Sequence, residues 1–154
     1  MEERADNLWE LKRNINAVEH MIYVSCKYTK TTEMIRKVME TIVSTYENFF
    51  SVAYNILVEE EEGSEYPMVG MPSVHYKIER LSEVLNDKGV YVDLSDYFLL
   101  KKLLLAEFDC IGEYRKNLCM VAYIDGEEYS INISKLLVFY ENLKYVYDGV
   151  IKTL

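Results

Sequence analysis

Residues 95–154 read SDYFLLKKLLLAEFDCIGEYRKNLCMVAYIDGEEYSINISKLLVFYENLKYVYDGVIKTL, and the periodicities that succeed one another along them decide the fold. Leu100, Leu103, Leu104, Glu107, Ile111 and Tyr114 recur at helical intervals, with Leu99, Ala106 and Phe108 widening the apolar sector. Ser95 stands where an N-cap belongs, with Asp93 and Asp96 near the positive end of the dipole. The spacing therefore predicts a helix from near Ser95 to the neighbourhood of Lys116. So broad a sector predicts a central helix, touched on more than one side. Beyond Lys116 the period changes to two. Met120, Ala122 and Ile124 alternate with Cys119, Val121 and Tyr123, Asp125-Gly126 suits a type I′ turn, and Tyr129, Ile131 and Ile133 alternate with Glu128, Ser130 and Asn132. That predicts a two-stranded β-hairpin, which needs helices against one face to be stable. Ser134 then offers a cap, and Leu136, Tyr140, Leu143, Tyr147 and Val150 form the seam of a closing amphipathic helix.

Outward from this stretch the chain is helical by pattern. Leu8, Leu11, Ile15, Val18 and Ile22 keep one face of a helix from about Asp6 to Cys26. After a connector at Lys27 to Thr31, Thr32 and Glu33 start a second helix, in which Ile35, Val38, Ile42, Tyr46, Phe49, Ala53 and Ile56 hold a single face. A connector this short makes the two helices antiparallel neighbours. Residues 59–73 contain an acidic run followed by Tyr66-Pro67 and Gly70-Met71-Pro72, an acidic loop without the alternating ligands of a calcium-binding hand. Ile78, Leu81 and Leu85 mark a third helix from about Ser73 to Asn86, with Gly89 as a natural C′ residue, and Val90-Tyr91-Val92 an extended bridge. The expectation is a mainly α single domain, 1–154: about five helices in a bundle with one two-stranded β-hairpin before the C-terminal helix.

Composition narrows the functional classes. The 154 residues carry a formal net charge of −9, which opposes strong non-specific binding to nucleic acid or to an anionic membrane. No apolar run approaches the roughly 18–20 residues of a membrane span, and the acidic start is unlike a signal peptide, so a cytoplasmic location is expected. Cys26, Cys110 and Cys119 are odd in number, widely spaced and set among apolar residues, and read as buried or half-buried free thiols. His20 and His75 belong to no metal-binding motif, so neither a metal nor another cofactor is expected.

No phosphate-binding glycine loop and no nucleophile elbow is present. Two basic groups are candidate anion contacts. Around the first connector, Lys27, Lys30, Arg36 and Lys37 form a basic patch opposed by Glu33. At the end of the Ser95 helix, Arg115 has the planar fork that holds a phosphate bidentately, Lys116 adds charge, and Asn117 adds hydrogen bonds. These three are the candidate phosphate or RNA contacts, with Glu113 and Tyr114 as candidate proton-handling groups. The plainer role for the same side chains is to satisfy the last helical carbonyls.

Two long antiparallel helices, a variable loop, a helix running into Arg115-Lys116-Asn117 and a final helix resemble the HEPN superfamily of helical domains. Many members are ribonucleases with an arginine, a polar residue and a histidine four to six positions after the arginine, assembled at a dimer interface. Arg115, Lys116 and Asn117 match the first part; Cys119, Met120 and Val121 stand where the histidine belongs. A thioether does not handle protons near neutral pH, so the resemblance implies a catalytically silent relative. The expected role is a non-catalytic interaction or regulatory domain, acting as a homodimer or as partner to another protein. The alternative is an RNA-binding protein or ribonuclease using Arg115, Lys116 and Asn117.

Overall fold

The computed structural model describes residues 2–60 and 73–154. The acidic, proline- and glycine-containing stretch therefore lies almost wholly outside the described residues. Helix α1 (Glu2–His20) continues through a π-helical turn (Met21–Ser25) into a last turn, Cys26–Tyr28. Helix α2 (Thr32–Tyr54) runs on into a second π-helical segment (Asn55–Glu60), followed by α3 (Val74–Asp87) and α4 (Ser95–Leu105). Three strands come next, β1 (Glu107–Ile111), β2 (Cys119–Ile124) and β3 (Glu127–Ile131), and α5 (Ile133–Ile151) closes the order. The mainly α architecture matches the periodicities.

Helix α2, not α4, is the hub. It packs against α1, α3, α4, α5 and β2, and Ile35, Val38, Met39, Ile42, Tyr46, Phe49 and Ala53 along it have no exposed surface. Its turns carry two adjoining apolar rows, wide enough to meet neighbours on several sides. Helix α4 is shorter than its leucines imply, because the chain leaves helical geometry at Ala106 (φ −80°, ψ 155°). Leu105, the last residue of α4, is 90% exposed. The next element is a strand rather than more helix: Glu107 to Ile111 pair antiparallel with Tyr123 to Cys119. The sheet therefore has three strands in the order β1-β2-β3. The expected hairpin is its β2-β3 half, with Asp125 and Gly126 both at positive φ (50° and 80°) in the turn.

Capping residues lie close to the expected places. Thr31 and Ser73 accept from the backbone N–H groups of Met34 and Tyr76. At α4 the expected cap Ser95 is itself the donor: its N–H and hydroxyl both reach the Asp93 carboxylate, and the N-cap position falls to Leu94, whose side chain makes no capping bond. At α5 the cap is Asn132, which accepts from the Lys135 N–H at 2.8 Å, not Ser134. Gly89 follows α3 at φ +80°, as a C′ residue should.

One continuous core joins all five helices to β2 and β3. Phe49, Phe50, Tyr46 and Tyr97 interlock with ring centroids 5.3 to 6.3 Å apart. Tyr140 of α5 donates to Glu19 of α1 at 2.6 Å, which fixes the closing helix against the first. Cys26 is buried, Cys119 is half-buried and Cys110 is exposed, all three as free thiols; Cys110 departs from expectation because its strand forms the rim of the sheet. No described helix is long and apolar enough to cross a membrane.

Candidate functional site

The first connector and the β1-β2 loop meet, which brings together the two basic groups that the sequence singles out. Gly112 leaves β1 at φ +71°, and Tyr114 follows at φ +66°, a left-handed conformation uncommon for a residue with a Cβ. The Tyr114 N–H donates to the Lys30 carbonyl at 2.7 Å. Arg115 N–H then donates to the Gly112 carbonyl and Leu118 N–H to the Arg115 carbonyl, so two successive turns return the chain to β2. Arg115 thus sits on a loop between strands and not at a helix end.

Glu113 is turned back onto the start of α2. Its carboxylate accepts from the Thr32 N–H at 3.3 Å, from the Thr32 hydroxyl at 3.2 Å, and from the Cys110 thiol. The first N–H groups of a helix lack intrahelical partners and carry partial positive charge. Thr31 satisfies one of them, at Met34, and Glu113 another, so the cap of α2 is completed from a strand loop far along the chain. The thiol hydrogen bond, helped by the two from Thr32, holds the Glu113 carboxyl below its ordinary range. Local desolvation and the same bond to Glu113 push the Cys110 thiol up. A thiol kept protonated is a poor nucleophile. Glu113, a candidate proton-handling group by sequence, is a fastener here.

The remaining candidates divide. Arg115 and Lys116 project as exposed side chains. Asn117 packs beside Gly112, where a Cβ would come within 2.5 Å of its Oδ1. Lys27 and Lys37 are exposed and Lys30 is half-buried. Arg36 is diverted inward: it donates from Nη2 to the Leu104 carbonyl at 3.0 Å, and its guanidinium lies 4.7 Å from the centre of the Phe108 ring. It ties the end of α4 and the start of β1 to α2.

A cleft of about 520 Å³ lies between α2 and β1, lined by Thr32, Glu33, Arg36, Lys37, Glu40 and Phe108. The sequence reading missed β1, which forms its outer wall. Polar Glu107 and Asp109 alternate with Phe108 and Cys110 before the glycine, a signal too short to override the leucine stripe that precedes it. Among the described residues no group of three or more histidine, cysteine or acidic side chains is placed to hold a metal ion. His20 is exposed, and His75 lies 3.1 Å from Glu79 one turn along α3. Comparison of the chain with family models, curated proteins and solved structures returns no match.

Proposed function

We propose that the chain is a non-catalytic interaction domain of the cytoplasm, which engages a second copy or another protein through the rim formed by β1. One observation carries this reading: all five residues of β1 are exposed, on a strand that among the described residues is paired along one side only. Exposed strand edges are templates for pairing with another chain. The HEPN-like resemblance belongs to the same proposal; it rests on the order of the helices and on Arg115-Lys116-Asn117, which here follow β1 rather than a helix, with no histidine at the expected positions.

Native mass spectrometry over a concentration series, on the wild type and on a chain with Cys110→Pro in β1, tests the reading. Association that the proline removes supports it; association indifferent to every β1 substitution overturns it. A second reading, RNA binding, has its own observation in the Lys30–Tyr114 hydrogen bond, which seats the loop carrying Arg115 and Lys116 against the connector carrying Lys27 and Lys30. Salt-dependent retention of single-stranded RNA, weakened by Arg115→Ala in a folded chain, favours that reading. Cleavage abolished by the same substitution makes it a ribonuclease, and cleavage unaffected by it identifies a contaminant.

A further inference from the structure

The hydrogen-bonding phase of the sheet can be traced from its turn. Asp125-Gly126 is a two-residue turn, so the flanking pair Ile124–Glu127 exchanges hydrogen bonds, and pairs alternate from there. In β2, residues 120, 122 and 124 therefore address β3, and 119, 121 and 123 address β1. Glu107, Asp109 and Ile111 are their partners in β1. The N–H and C=O groups of Phe108 and Cys110 consequently face outward. Among the described residues no hydrogen bond to these backbone groups is made from outside the sheet.

This edge borders the cleft of about 520 Å³ against α2, and a shallower one of about 430 Å³ lies on its other side, lined by Ala106, Glu107, Phe108, Asp109 and Tyr123. Phe108, 40% exposed, separates the two. The surroundings are acidic. Glu107 and Asp109 line the second cleft with no basic side chain among its described lining residues; in the first, Glu33 and Glu40 accompany Arg36 and Lys37, and Arg36 is already engaged by Leu104 and Phe108.

Resting on the interaction reading above, we propose that β1 receives an extended segment of a partner protein by strand addition. The segment carries lysine or arginine at alternate positions facing the carboxylates and an aliphatic residue against Phe108. Main-chain pairing supplies general affinity in such complexes, and side chains at alternate positions supply selectivity. Charge selects this occupant over a second copy. In an antiparallel self-pairing centred on Phe108, Glu107 opposes Asp109; centred on Asp109, the register that pairs all five residues of β1, that residue opposes itself. Directly opposed like charges destabilise a strand pair.

The test uses the full chain and two fluorescent eight-residue peptides, one alternating lysine with valine and one alternating glutamate with valine. Fluorescence anisotropy should show the lysine peptide binding at least about ten-fold more tightly. Hydrogen exchange should slow at the amides of Phe108 and Cys110 when it binds. Cys110→Pro, which removes an outward N–H, should abolish binding, whereas Cys110→Ser should retain it. Asp109→Lys should reduce or reverse the preference between the peptides, and this holds as a test even where the proline variant does not fold. Equal affinity for the two peptides, binding indifferent to Asp109→Lys, or binding without protection at Phe108 and Cys110 overturns the proposal. If neither peptide binds but native mass spectrometry finds a β1-dependent homodimer, the basic partner is refuted and the interaction reading survives. If no association depends on β1, both fall.

Discussion

Tyr46 is fully buried in the centre of α2, yet its hydroxyl has no hydrogen-bond partner among the described residues. Burial, with Asp96 and Asp93 adding negative potential, pushes its ionisation well above the ordinary tyrosine range, so the group remains a neutral, unpaired dipole. An unsatisfied buried hydroxyl costs about 1–3 kcal/mol. Tyr46→Phe should therefore stabilise the protein by about 1 kcal/mol, read by calorimetry as a rise in Tm of about 3 °C. Glu113 offers the opposite case. Its folded-state pKa is depressed, so its contribution is present above the ordinary carboxylate range and is lost as pH falls through the lower folded value. Urea midpoints measured from neutral pH into acid should decline through that window. Glu113→Gln should flatten part of the decline, because the amide does not titrate.

At the scale of the element, the β1-β2 connection tolerates little change at its glycine. Gly112 combines φ +71° with a site where a Cβ would lie 2.5 Å from Asn117 Oδ1 and 3.0 Å from its carbonyl oxygen. Gly112→Ala should cost about 1–3 kcal/mol in chemical denaturation, from the left-handed backbone together with the contact. Adding Asn117→Gly should recover the part that comes from the side-chain contact. This region also marks where sequence legibility ends. Helices α1, α2, α3 and α5 were readable because apolar residues repeat over many turns and only one period fits them. Glu107 to Ile111 extends the leucine stripe of α4 by spacing, and five residues are too few to separate a period of 3.6 from one of 2. The cap at α5 fell between two competent residues, Asn132 and Ser134, and local geometry chose between them. Arg36 shows a different limit. Its charge was legible, but its diversion to Leu104 and Phe108 depends on where a distant strand lands.

For the whole molecule, the aromatic centre on α2 couples the parts. Phe49 is fully buried and meets Phe50 and Tyr147, so it joins the hub helix to α5. Phe49→Ala should cost about 3–5 kcal/mol. Because the core is continuous across all five helices, that loss should appear as one shifted transition, with fluorescence and circular dichroism moving together. The packing of α2 against elements later in the chain bears on biosynthesis. In order of synthesis α1 and α2 precede α3, α4 and α5, the other helices that α2 packs against. The nascent chain therefore carries a long aromatic stripe in water until α5 emerges to cover Phe49. Transiently exposed apolar surface of this kind favours aggregation, and slower elongation downstream of α2 would lengthen the exposure.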